Sequence, residues 1–124
     1  MKESIEEIVE WVGLSDLRNE LSQNLSYGDQ RKLEIALALG TNPSLLMVDE
    51  PTSGMSRFES QSMIELVREL SERVTIFLIE HDIDFVMAVS ESILVIHYGR
   101  KIAEGSPEEI AGNQEVQSVY LGGL

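Results

Sequence analysis

Apolar positions along this chain alternate between helical and strand-like spacing, and the changes mark its elements. Ile5, Ile8, Val9 and Val12 recur at helical spacing behind Ser4, with Glu7 placed for a reciprocal cap and Gly13 able to close the segment. The spacing predicts an amphipathic helix of about three turns. Residues 14–24 are polar, with Leu14, Leu17 and Leu21 interspersed, which suits a second short helix. Arg31 to Gly40 then reads as a helix with Leu33, Ala36, Leu37 and Gly40 along one face, ended by Asn42-Pro43.

Leu45 to Val48 is apolar at consecutive positions and bounded by Pro43 and Pro51, as expected of a parallel strand covered on both faces. Val74 to Ile79 and Ile93 to His97 have the same character. Helical patterns precede them, Phe58 to Leu70 with Ile64 and Val67 inward, and Ile83 to Val89. This alternation predicts an α/β fold with right-handed crossovers. Tyr98-Gly99-Arg100 reads as a hairpin turn into an antiparallel extension, Lys101 to Glu104. Ser106, Pro107 and Glu109 open a short helix, and Gln114 to Tyr120 forms the last one, frayed by Gly122-Gly123. There is no internal repeat and no low-complexity linker.

At 124 residues, 43% hydrophobic and 25% charged, the chain has the make-up of one soluble globular domain or a piece of a larger one. Nine Lys plus Arg against 22 Asp plus Glu leave a formal charge of −13. That field repels phosphate backbones and anionic headgroups, which argues against nucleic acid and direct lipid adsorption. The absence of cysteine removes disulfides, thiolate metal sites and thiol nucleophiles, and fits a cytoplasmic location. No apolar run approaches the ~20 residues of a membrane span, and Met1 to Glu7 is too acidic for a signal peptide. If a membrane is involved, another subunit crosses it.

Two adjacent acids, Asp49-Glu50, end the first buried strand, where open α/β sheets place their ligands. Asp49 suits support of Mg²⁺ through its water shell, and Glu50 suits orientation of an attacking water. Both also suit a solvated strand end. Ser26-Tyr27-Gly28-Asp29 forms a helix cap, and a helix start carrying Ser and Gly is equally a ready anion site. His81 follows the second strand at the same expected sheet edge, which favours function over a structural hydrogen bond, whereas His97 beside the hairpin turn reads as structural. Met47, Met55, Met63 and Met87 read as core or gap-filling residues and not as a cofactor box.

These residues carry a clear resemblance. Leu25-Ser26-Tyr27-Gly28-Asp29-Gln30 is similar to the signature motif of ABC ATPases, and Leu45 to Asp49 with Glu50 resembles Walker B plus the catalytic glutamate. Ser53-Gly54-Met55-Ser56 looks like the D-loop and His81 the switch histidine. Tyr27, Gly54-Met55, Ile79 to Asp82 and the ending Val119-Tyr120-Leu121-Gly122-Gly123 look like the ATPase subunits of branched-chain amino-acid importers, a pattern that urea and amide importers partly share. The resemblance implies an α/β fold, a partial P-loop NTPase (RecA-like) parallel sheet with flanking helices. Residues 1–42 would be the last part of the helical subdomain and 43–124 the carboxyl-terminal half of the nucleotide-binding core.

It further implies ATP and Mg²⁺ as cofactors. The partners would be a second ATPase subunit in a head-to-tail dimer and the permease subunits, at the inner face of the cell membrane. Ser26, Tyr27, Gly28, Asp29 and Gln30 would serve the partner's ATP, and Ser53, Gly54 and Ser56 would report across the interface. Asp49 would hold the metal, and Glu50 and His81 would be catalytic toward the chain's own ATP.

The sequence departs from the family pattern in several places. Asp29 stands where glutamine is usual, Leu37 where these helices often carry arginine, and Ser56 where the D-loop has Asp or Asn. A Walker A loop needs Gly-Lys, and none of the nine glycines is followed by lysine. The resemblance therefore covers about the last half of such a subunit, one that does not hydrolyse ATP alone. The missing Walker A strand would lie between the strands 74–79 and 93–97, so both would lose a ladder partner and the isolated chain would rearrange, swap or pair with another chain. The alternative is a non-catalytic module that binds and modulates an intact ATPase subunit.

Overall fold

The computed structural model describes residues 4–120. They fall into two compact units that divide between Glu80 and His81. The first unit begins with α1 (Ile5–Trp11), opened by a reciprocal Ser4/Glu7 cap and closed by Gly13 at φ 75°. It has seven residues, two turns and not three, because Val12 already forms the C-cap. Residues 14–24 form two 3-10 turns, Ser15–Leu17 and Ser22–Asn24, where a short helix was expected. The polar residues between Leu17 and Leu21 provide no apolar stripe to bury.

Helix α2 (Tyr27–Leu39) starts four residues before the point that periodicity alone suggests, because Ser26 caps it. Its buried face is Gly28, Ile35, Ala36 and Leu39, while Leu37 is 69% exposed. Both this stripe and the expected 33-36-37-40 stripe satisfy helical spacing, and contact with α1 and with α3 (Arg57–Ser71) selects the former. Met63, Leu66, Val67 and Leu70 are the buried face of α3, with Ile64 at its margin. The Arg73 guanidinium lies 4.1 Å from the centre of the Trp11 ring, a cation–π contact within this unit.

Strands β1 (Leu45–Asp49) and β2 (Thr75–Ile79) pair in parallel, from Leu45↔Thr75 to Asp49↔Ile79. The expectation that such strands are covered on both faces is corrected here. Leu46 is buried, whereas Leu45, Met47, Phe77 and Ile79 on the other face are each about half exposed or more. Side chains alternate across a strand, so one face of this two-stranded ribbon is an apolar surface open to solvent.

The second unit contains α4 (Ile83–Val89), β3 (Ile93–His97), β4 (Arg100–Gly105), α5 (Pro107–Ala111) and α6 (Gln114–Tyr120). The strands form an antiparallel hairpin whose turn places Tyr98 and Gly99 at φ 47° and 73°. Ile93, Ile110 and Val116 form its core, with Val86, Val95 and Ile102 against them. The fraying expected at Gly122-Gly123 lies outside the described residues. Among the described residues, β2 pairs with β1 and β3 with β4, giving two separate two-stranded sheets. No helix among them is long and apolar enough to cross a membrane.

Met63 is fully buried and Phe58 is 85% exposed on the same helix. Met63→Ala is expected to lower the unfolding free energy by about 2–5 kcal/mol. Phe58→Ala should change it by less than about 0.5 kcal/mol. Urea titration followed by far-UV circular dichroism compares the two.

Candidate functional site

The first turn of α2 is built by its cap. Ser26 Oγ accepts a hydrogen bond from Asp29 N at 3.1 Å. The reciprocal arm of a full capping box is absent, because the aspartate side chain is one carbon shorter than the usual glutamate. Asp29 instead lies 4.0 Å from Lys32 Nζ, which donates to Ser62 Oγ on α3. The Gln30 amide turns back and donates to the carbonyls of Ser22 and Leu25, at 3.2 and 3.4 Å, tying the preceding 3-10 turn to the helix. Tyr27 is half exposed and Gly28 is buried.

The turn 53–56 lies against this helix start. Gly54 sits at φ 77°, and a Cβ built on it would meet the Tyr27 ring at 3.3 Å. A Cβ on Gly28 would likewise meet the Glu59 side chain at 3.3 Å. Glu59 is already committed, since it and Ser56 form the reciprocal cap of α3 at 3.0 and 3.1 Å. An N-cap oxygen is what this position requires, and Ser supplies it where Asp or Asn would also do so. The two glycines thus allow the starts of α2 and α3 to approach closely.

Asp49 ends β1, and Glu50 leaves it in the left-handed region at φ 47°. Glu50 N donates to Ile79 O at 2.7 Å, one bond beyond the ladder, and Ser53 N donates to Glu50 O at 3.2 Å. Pro51 and Thr52 are buried. Glu80 accepts from Thr52 N at 2.9 Å and from Thr52 Oγ1. From the α2 side, Arg31 Nη2 donates to the carbonyls of both Asp49 and Glu50. The acid pair is therefore held on a backbone fixed from two directions.

Arg31, Thr52, Glu59 and Glu80 are absent from the site that the motifs suggest. Arg31 and Glu80 each carried one signal, Arg31 as a charge directly beside a motif and Glu80 as a charge within one, but charge alone does not reveal a backbone carbonyl or a hydroxyl as partner. Ser26, Tyr27, Gly28, Asp29, Gln30, Asp49, Glu50, Ser53, Gly54 and Ser56 all fall in the first unit, while His81 opens the second. There Asp82 caps α4 by accepting from Phe85 N at 3.1 Å. His97 contacts the rings of Tyr98 and Tyr120 edge-on, in keeping with a structural role.

No group of three or more His, Asp or Glu side chains able to hold a metal ion occurs among the described residues. That suits Mg²⁺ only in the manner of phosphate sites, where one or two carboxylates supplement ligand oxygens and waters. Asp49 has the position and chemistry for such a part.

A family model described as ABC transporter matches residues 1–53, and one described as branched-chain amino acid ATP-binding cassette transporter matches residues 100–123. The high-affinity branched-chain amino acid transport ATP-binding protein LivG of Salmonella typhimurium is 45% identical over 116 residues, which cover 92% of this chain and 46% of LivG. BraF of Pseudomonas aeruginosa, which carries the same description, is 40% identical over 126 residues, covering 98% of this chain and 49% of BraF. Among solved structures, an ATP-binding cassette of an ABC transporter in its ADP conformation matches with a TM-score of 0.84 at 30% identity, over 98% of this chain and 52% of that one. The chain spans about half the length of the curated relatives it matches.

Gly54→Ala is expected to destabilise the first unit by about 1–2 kcal/mol from the left-handed backbone alone. The contact with Tyr27 adds to that cost. A double-mutant cycle with Tyr27→Ala, read by urea unfolding, should give a coupling of about 0.5 kcal/mol or more, and additivity would show that the ring does not press on this position.

Proposed function

This chain belongs to the ABC transporter ATP-binding family, and from that premise we propose that it forms part of the ATP-binding and ATP-hydrolysing subunit of an importer for branched-chain amino acids. The observation that carries this reading is the likeness to LivG and BraF over nearly the whole chain, together with a first unit that gathers the signature-like turn, the acid pair and the 53–56 turn. In this reading residues 1–42 complete a helical subdomain and residues 43–124 belong to the nucleotide-binding core. The subunit works at the cytoplasmic face of the membrane against a permease.

ATP supplies the free energy when two such subunits close on it, and this chain's residues divide the work. The first N–H groups of α2 have no intrahelical acceptor, so with Ser26 and Gly28 they can receive a phosphate of ATP bound to the partner subunit. Asp49 would support Mg²⁺, Glu50 would orient water on the chain's own nucleotide, and His81, in the second unit, would be a further catalytic residue. Gly54 and Ser56, in contact with Tyr27 and Glu59, would carry the state of one site to the other.

A second reading draws only on the capped, signature-like start of α2 and its close approach to the 53–56 turn. In it the chain docks on an intact ATPase subunit and modulates it without turnover.

ATPase activity measured with and without a separately expressed amino-terminal half of a relative separates the two. Turnover is expected on mixing, and Glu50→Gln should reduce it about 10²-fold or more. Turnover that survives Glu50→Gln would overturn the assignment of Glu50. A mixture that stays silent while the chain alters the rate of an intact relative favours the modulator.

A further inference from the structure

Arg31 lies on α2, five residues beyond its cap, and reaches a loop 18 and 19 residues away. One nitrogen, Nη2, donates to Asp49 O at 3.1 Å and to Glu50 O at 2.9 Å, while Nη1 is held by Glu34 Oε2 at 2.9 Å. The Arg31 side chain is 23% exposed, while the bonds it makes lie at an exposed part of the surface. Charge-assisted bonds to carbonyl oxygens are stronger than neutral ones.

The two acceptors have a particular relation to Glu50. The Asp49 carbonyl belongs to the peptide that enters Glu50, and the Glu50 carbonyl to the peptide that leaves it. Fixing both planes fixes φ and ψ of the residue between them, and hence the direction of its Cα–Cβ bond. Glu50 is in the left-handed region, which a non-glycine residue keeps only when its surroundings over-determine it. Ile79 O holds its N–H at 2.7 Å, and Glu80 holds the next turn through Thr52. Of these contacts, only Arg31 comes from α2.

We infer that Arg31 is a positioning residue, which sets the direction in which the Glu50 side chain leaves the backbone and ties that direction to α2. A shift of the helix moves the guanidinium, and with it both peptide planes of Glu50. Lysine would keep the charge but lose the planar fork that Glu34 orients, so it is a partial substitute. The catalytic consequence rests on the proposed role of Glu50, whereas the backbone clamp does not.

The test uses the full chain labelled with ¹³C and ¹⁵N. Arg31→Ala should move the carbonyl resonances of Asp49 and Glu50 and raise amide exchange at Glu50 about 10-fold or more, leaving Met63 and Leu70 within about 2-fold of wild type. Arg31→Lys should displace the same two carbonyl resonances by a smaller amount, and it reads the clamp should the alanine variant fold poorly. In the mixture with the complementing half, Arg31→Ala should lower kcat about 10-fold at unchanged KM for ATP, and should add less than about 2-fold to the loss from Glu50→Gln. Unmoved Asp49 and Glu50 carbonyls in both variants would overturn the clamp. A loss expressed in KM, or fully additive with Glu50→Gln, would overturn the link to Glu50. If the wild-type mixture shows no turnover, the proposed activity fails and the resonances still decide the clamp.

Discussion

The first unit depends on how β1 stops. A parallel strand that ends in two acids must release its backbone from the ladder without orphaning polar groups, and here nearly every released group has a named partner. Glu50 N goes to Ile79 O, the carbonyls of Asp49 and Glu50 go to Arg31, and Thr52 goes to Glu80. Because these partners sit on α2, at the end of β2 and directly after it, the turn carrying the acids is also what joins helix to sheet. The approach of α2 to α3 at Gly28 and Gly54 follows from the same arrangement, since Gly54 lies in the loop that continues this turn.

Electrostatics adds a second constraint. In a chain at −13, Asp29 adds a further carboxylate in the first turn of α2. It is compensated locally, by Lys32 and by the partial positive charge of the helix start. Glu34 similarly orients Arg31 and does not cancel it, since the guanidinium has donors to spare for the strand end. On α2, then, two acids are each paired with a cation three residues away.

Much of this was legible in the residues. Ser-x-x-Glu at 4 and 106 announced two helix starts that the structure reproduces with both cap bonds, because the signal and its cause are the same local atoms; the same pair at Ser56 and Glu59 emerged only in the structure. The strands β1, β2 and β3 and the Tyr98-Gly99 turn were readable for the same reason. The inward face of α2 was not, since two neighbouring stripes fit the helical period and only packing chooses between them. Nor was the open face of β1–β2, because Met47 and Phe77 are apolar whether covered or not. Arg31 and Glu80 stayed hidden because their partners are a backbone and a hydroxyl far along the chain, which no motif spells out.

The two sheets also differ in how far apart their partners lie along the chain. In the hairpin, His97 meets Arg100 across one tight turn, so its closure is local and fast, on the order of microseconds. Every pair of β1–β2 joins residues thirty positions apart, and that loop must be closed before any contact rewards it. The turn that carries Asp49 and Glu50 forms only with the later pairing, because Ile79 and Glu80 arrive with β2. During synthesis the acids therefore wait on an unpaired apolar strand until the second strand emerges.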